Sequence, residues 1–323
     1  MTGIGIIGLG VMGSRMLGQI MQHPDLDAIV AWDPSEASMQ EAARSCPALE
    51  LAQSALDVIA HNTVTCVYIA SPPSSHLGYI NLACDHDKAV FCEKPLSLDL
   101  GAAVTTVERI EREGRQAAMN FPHASAPAAT ALAEAVQAGR IGSVRDVSVE
   151  IVFPQWPESW QATATWLGCR AEGGFVREVV THMLFLARRL LGPLELTNAE
   201  ITWPDDAIRA ETAADIRLSA GGIPVRVRGR VEDGAEETVH WTISGEHGSL
   251  RLFDWYGLEL RSNSGAQEWH QANQPYDPAS VRQAAGQAQL DGLKAMLDGK
   301  PHTMAQLREG LDVQQMIETI LSR

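Results

Sequence analysis

Three scarcities narrow the reading of this sequence before any motif is considered. Cysteine is sparse: Cys46, Cys66, Cys84, Cys92 and Cys169 are odd in number, scattered and without a CxxC pair. That argues against a disulfide framework and against a metal site, and predicts reduced cysteines in a cytoplasmic protein. Positive charge is in deficit, with 25 Lys and Arg against 40 Asp and Glu and a net charge of −15. Such a surface disfavours nucleic acid or an anionic membrane as the main partner. Long apolar runs are missing as well. No stretch is long enough to cross a bilayer, and no basic segment with an apolar core precedes the first strand.

What is present suits a soluble globular chain. The 323 residues are 45% hydrophobic and 20% charged, enough for two domains with substantial cores. At the start, Gly3 to Ile7 reads as a buried strand that runs into Gly8-Leu-Gly-Val-Met-Gly13. This matches the GxGxxG pattern. Gly8 permits the tight turn, Gly10 lets a pyrophosphate approach the backbone, and Gly13 lets the next helix pack close to the strand. With Val11 and Met12 these residues open a helix whose free N–H groups suit phosphate. A second strand, Ala28 to Trp32, ends at Asp33, 20 residues after Gly13. A carboxylate there accepts hydrogen bonds from the adenosine ribose and repels a 2′-phosphate, so the candidate cofactor is NAD rather than NADP. Asp33-Pro34-Ser35 also reads as the cap and first turn of the next helix.

Strand and helix go on alternating. Helices are predicted over Ser35–Ser45, Ser75–Asp85 and Leu98–Glu113, the last with Leu100, Val104, Val107 and Ile110 on one face. Strands are predicted over Thr63–Ala70, Ala89–Cys92 and Gln116–Met119. The succession predicts an α/β fold with an N-terminal doubly wound parallel sheet over residues 1–121. Residues 122–323 read differently. A helix over Pro127–Ala138, a strand over Val144–Phe153 and a helix over Gly174–Leu191 are followed by six strands between Leu196 and Arg261. Gly221-Gly222 and Glu246-His247-Gly248 are hairpin turns by composition. This part is predicted to be an α+β domain with a large, mostly antiparallel sheet, one face of it open. Two helices, Val281–Leu297 and Met304–Leu321, close the chain, and Ser262 to Ala279 is the least legible stretch.

Three further segments carry candidate chemistry. Ser71-Pro72-Pro73-Ser74-Ser75-His76 follows a strand at its carboxyl end, where ligands of open parallel sheets bind; it also reads as a proline turn capped by Ser75. Glu93-Lys94-Pro95 follows the next strand, and Lys94 is placed to polarise a substrate oxygen or pass a proton. Gly173-Gly-Phe-Val-Arg-Glu178-Val-Val-Thr-His182 puts Glu178 and His182 at i and i+4 on a helix, a carboxylate beside an imidazole general base. Only one histidine lies in that segment, so no metal is predicted. Trp156, Trp160 and Trp166 either wall a sugar pocket or anchor a long loop.

Taken together, GLGVMG, SPPSSH, EKP and GGFVREVVTH, in this order and spacing, resemble the glucose–fructose oxidoreductase and inositol dehydrogenase family (Gfo/Idh/MocA) over essentially the whole chain. The resemblance implies NAD(P)-dependent hydride transfer at a hydroxyl or carbonyl carbon of a sugar, cyclitol or related polyol. It places the family's lysine on Lys94, its glutamate on Glu93 and its histidine on His182. Glu178 stands where the family usually has aspartate, and Pro73 where asparagine is common. The asparagine after the last Rossmann strand falls on Asn120, and His123 stands where other contacts are usual; both become candidate substrate residues, with Trp166. Two alternatives remain at this stage, an NAD-dependent glycoside hydrolase working by transient oxidation and a non-catalytic NAD-binding regulator. An open-faced second sheet, as in relatives, implies a homodimer or homotetramer.

Overall fold

The structure, a computed structural model, describes residues 1–162, 164–262, 267–269 and 276–323. It divides into two compact units. One comprises Met1–Pro122 and Gly286–Leu311, the other His123–Ala285 and Asp312–Arg323.

The first unit is built by strand–helix alternation: β1 (Thr2–Ile7), α1 (Val11–Ile20), β2 (Leu26–Trp32), α2 (Glu36–Ser45), β3 (Glu50–Leu51), α3 (Ala55–Ala60), β4 (Cys66–Ile69), α4 (Pro73–Asp85), β5 (Ala89–Cys92), α5 (Leu100–Glu113) and β6 (Ala117–Met119). The strands line up as β6-β5-β4-β1-β2-β3, all parallel, the order of a doubly wound sheet. β4 and β5 are buried along their whole length, as a strand covered on both faces must be. The helix starts follow from the caps: Ser35, Ser54 and Asp99 each accept a backbone N–H from three residues on. The buried face of α5 is Ala103, Thr106, Val107 and Ile110, not the expected set with Leu100 and Val104. The stripe is rotated because Thr106 is taken inward by a side-chain hydrogen bond from Asn81 at 3.0 Å.

The second unit contains α6 (Pro127–Gln137), β7 (Val144–Phe153), a π-helical turn over Val176–Val180 that continues into α7 (Thr181–Leu191), β8 (Leu194–Thr202), β9 (Ala213–Ala220), β10 (Ile223–Val231), β11 (Thr238–Gly245), β12 (Gly248–Phe253), β13 (Gly257–Ser262) and β14 (Gln267–Trp269). Its eight strands run β14-β13-β12-β11-β7-β10-β9-β8, antiparallel except for β7 beside β10. β9 and β11 alternate buried and partly exposed residues, so one face holds the core. Helix α7 packs on β9, and α6 on β12 and β13. Gly221 and Gly222 both have positive φ, 56° and 84°, the conformation a two-residue hairpin turn between β9 and β10 requires.

The end of the chain differs from the expectation of two plain helices. After α8 (Pro278–Leu297) the chain forms a two-residue strand, β15 (Ala305–Gln306), before α9 (Leu307–Leu321). β15 pairs antiparallel with β6 and becomes the edge of the first sheet. Leu290, Leu293, Met296 and Met304 join the core formed by Ile4, Ile6, Tyr68, Phe91 and Ala118. Among the described residues no helix is long and apolar enough to cross a membrane.

Candidate functional site

The three glycines of the first turn occupy three different environments. Gly8 has φ of 97°, and a Cβ there would lie 2.5 Å from the Ala70 carbonyl oxygen. A Cβ on Gly13 would lie 1.9 Å from the Gly8 carbonyl oxygen. Both positions are closed to any side chain by the fold itself. Gly10 is the opposite case, where an added Cβ would meet nothing within 4 Å. It is also the N-cap of α1 and provides no side-chain cap, so the first N–H groups of the helix meet that open space. Asp33 is fastened to the same turn. Its Oδ2 accepts the Leu9 N–H and its Oδ1 the Ser35 N–H, each at 2.7 Å. The capping of α2 falls to Ser35, which accepts from Ser38 N–H. Each Asp33 oxygen thus keeps acceptor capacity for a ligand hydroxyl while the carboxylate is held in one place. These features fit an NAD pyrophosphate and ribose.

Two loops lie at neighbouring carboxyl ends of the sheet. Ser71 follows β4, with its Oγ 2.7 Å from Ser75 Oγ, and Pro73 opens α4. His76 is fully buried in that helix. Its Nε2 lies 2.7 Å from the Ser71 carbonyl oxygen and its Nδ1 2.9 Å from that of Pro95. The ring therefore braces the two loops from inside, and burial pushes its pKa down. After β5, Glu93 is buried and Lys94 partly exposed, joined to Pro95 by a cis peptide. The Glu93 carboxylate accepts from the Tyr68 hydroxyl and from the Asn120 amide. The Asn120 amide oxygen in turn accepts from Gln289 Nε2 of α8 at 2.6 Å. Burial, with the Glu93 charge beside it, drives the Tyr68 phenol well above its usual pKa. Asn120 thus stands inside this unit as the middle of a polar chain, and Glu93 and Lys94 point to different duties on adjacent residues.

In the second unit the segment expected as one α-helix begins with the π turn, a feature that recurs at functional sites. Its entry is set by Gly174, with φ of 100°, packed under the Glu211 carboxylate; a Cβ there would be 2.2 Å from Oε2. Glu211 Oε1 accepts the Val176 N–H at 2.7 Å, and burial raises the pKa of this carboxyl. Arg177 clamps the turn from outside with a two-armed pair to Glu318 at 2.7 and 2.9 Å. Glu178 is partly exposed on the π turn, and His182 is buried in the first turn of α7. Trp241 on β11 donates to the Met183 carbonyl at 3.2 Å and holds that turn on the sheet.

The aromatic neighbours of His182 come from distant parts of the chain. Trp255 meets it edge to face at 5.6 Å between ring centroids, and His123 does so at 6.2 Å. His123 is buried, with its pKa pushed down by burial, and its Nε2 lies 3.0 Å from the Trp255 carbonyl. A neutral ring donates its Nε2–H there. The tryptophan-rich loop mostly serves itself. Trp156 donates to the Leu167 carbonyl at 3.0 Å and packs on Phe153 and Phe175. Trp160 is exposed, and Trp166 is half-buried on a short 3-10 turn over Thr165–Gly168. Sequence reasoning missed Trp255, whose one signal is its run of aromatics, Phe253-Asp-Trp-Tyr256, at a strand end.

Comparison with known proteins agrees with this geometry. Residues 2–121 match the oxidoreductase family with an NAD-binding Rossmann fold, and residues 129–251 match the GFO/IDH/MocA C-terminal domain. The chain belongs to the Gfo/Idh/MocA family of NAD-binding oxidoreductases. It is 26% identical to a D-apiose dehydrogenase of Paraburkholderia graminis over 94% of this chain and 80% of that protein. It is 25% identical to an inositol 2-dehydrogenase of Rhizobium meliloti over 63% of this chain and 60% of that protein. An oxidoreductase from Agrobacterium radiobacter, solved in complex with NAD+, L-tartaric acid and magnesium, shares the fold with a TM-score of 0.83 at 18% identity, covering 100% of this chain and 96% of that one.

Proposed function

We propose that this protein is an NAD-dependent dehydrogenase acting on a hydroxyl-bearing carbon of a sugar, cyclitol or related polyol, or reducing the matching carbonyl. The observation that carries the reading is Asp33 fastened to a glycine turn whose central position is open, in a chain whose second unit sets a buried histidine among aromatic rings. The named relatives support the same substrate class, since they include a D-apiose dehydrogenase and an inositol 2-dehydrogenase.

The N–H groups at Gly10 to Met12 and the Asp33 carboxylate would hold the dinucleotide, with Ser71 and Pro72 on the loop after β4 beside them. When bound, NAD would supply the acceptor for the hydride lost from the carbinol carbon. His182 accepts the hydroxyl proton as the C–H bond breaks and the C=O forms, and Lys94 stabilises the developing alkoxide by its positive charge. Glu178 orients these groups. Asn120 and His123 support the substrate region through Glu93 and Trp255, and Trp166 is offered by the loop whose backbone closes on Gly173. In the reverse direction His182 returns the proton.

Positioned acid–base groups contribute about 10²–10⁴-fold each. His182→Ala and Lys94→Ala are therefore expected to lose turnover by about that factor while NADH titrations stay near wild type. Wild-type turnover in either variant, on a panel of sugars, inositols and sugar acids, overturns the assignment. Release of free sugar without net NADH would point instead to the hydrolase alternative. The less buried face of the second sheet further supports self-association as a dimer or tetramer, which light scattering on the eluting protein tests.

A further inference from the structure

Trp255 occupies a backbone conformation that its own side chain resists. Phe253 pairs with Gly257, and the three residues between them make the turn from β12 to β13. Asp254 and Trp255 both have positive φ, 46° and 70°. The Tyr256 N–H donates to the Asp254 carbonyl at 2.9 Å, which closes a γ-turn centred on Trp255. This is the rare, strained form of that turn, and a bulky residue in it is an outlier. Glycine at 255 would relieve the strain. The fold instead holds the indole there, stacked on His123 at 20° between planes and edge to face with His182, with His123 Nε2 gripping the Trp255 carbonyl. Trp255 is not sealed into the core; the residue remains partly exposed beside the buried histidine. Strain kept at a residue next to an acid–base group marks function more than packing.

We infer that Trp255 is a specificity-determining residue whose indole receives the apolar C–H face of a cyclic substrate, setting the hydroxyl to be oxidised against His182 and favouring cyclitols and pyranoses over open-chain polyols. This rests on the dehydrogenase reading above. A flat ring matches the axial C–H surface of a six-membered ring, and an open chain presents no such face.

The test compares wild type with Trp255→Gly and Trp255→Phe, on cyclic and acyclic polyols used as substrates or as competitive inhibitors. In Trp255→Gly the KM or Ki of cyclic polyols should rise about 10-fold, the worth of one aromatic contact. Trp255→Phe should recover most of this, acyclic compounds should shift less than about twofold, and NADH affinity should hold. A cyclic and acyclic shift of equal size, or wild-type behaviour in Trp255→Gly, overturns the inference. Fluorescence supplies a second measurement, available even if the glycine variant does not fold: a cyclic polyol should quench wild-type emission more than that of Trp255→Phe. Such quenching without any hydride transfer would sink the dehydrogenase reading, and with it the placing of a hydroxyl for oxidation, while the ring contact at Trp255 stood; equal quenching in both proteins would sink the inference at Trp255 alone.

Discussion

Replacing Gly10 with alanine separates binding from folding more cleanly than any other change in the nucleotide turn. The new methyl meets nothing within 4 Å, and Gly10 sits at φ −67° and ψ −162°, extended backbone open to any residue. Alanine at such a place narrows the unfolded ensemble and stabilises by about 0.4–1 kcal/mol. Melting temperature should therefore hold or rise slightly. The cofactor is affected differently, because the methyl stands where the pyrophosphate must come close to the first N–H groups of α1. Losing one hydrogen bond to a charged group costs about 1.5–3 kcal/mol, or roughly 10- to 100-fold in affinity. Gly13→Ala is the contrasting control. Its Cβ would sit 1.9 Å from the Gly8 carbonyl oxygen, so the turn itself must deform and thermal stability should fall. NADH fluorescence titration and thermal unfolding on the same samples read both quantities. NADH binding of wild-type strength in Gly10→Ala would show that the pyrophosphate does not approach there.

Two further outcomes follow from the carboxylates. Asp33→Asn keeps the shape and removes the charge that repels a 2′-phosphate, so the ratio of kcat/KM for NAD over NADP should drop by at least about 10-fold; an unchanged ratio would remove Asp33 from cofactor selection. Glu211 has its pKa raised by burial, so the folded state binds its proton more tightly than the unfolded chain does. The stability it provides is full below the unfolded carboxyl pKa and is lost as pH rises through the folded value. Glu211→Gln keeps an acceptor for the Val176 N–H without the buried charge. Its melting temperature should gain on wild type as pH rises from about 4 toward neutrality, and parallel curves for the two proteins would refute the assignment.

Much of the first sheet was legible because its signals are local. A β-branched or apolar run of four to seven residues, a capping serine and a glycine turn each need only their neighbours in sequence, and β1, β2, β4, β5 and their helices appear close to expectation. The antiparallel strands of the second sheet were legible for the same reason, through alternation and glycine turns. Features that depend on distant partners left no such trace. Two residues of β15 have no periodicity, and their strand character comes from Met119 and Ala118 across the sheet. The inward turn of Thr106 depends on Asn81, and the π turn depends on Glu211 lying over Gly174. The site divides likewise. Gly8 to Gly13, Asp33, Lys94 and His182 announce themselves by motif. The bracing duty of His76 and the place of Trp255 beside His182 arise only when separate stretches of chain meet.

Residues Gly286 to Leu311 have a consequence for how the protein is made. Met1 to Pro122 contain every parallel strand of the nucleotide-binding unit, yet leave β6 with a bare edge, the Asn120 amide oxygen without Gln289, and the core without Leu290, Leu293 and Met296. The missing piece leaves the ribosome only after His123–Ala285, a delay on the order of ten seconds at about 5–20 residues per second. During that interval the nascent nucleotide fold carries an unpaired strand edge and an uncovered apolar patch, the features chaperones recognise and other chains pair with. Synthesis order thus makes this unit the first to begin and leaves it unfinished until Leu311 has been added, and a fragment ending at Pro122 is an incomplete fold despite holding the entire glycine turn.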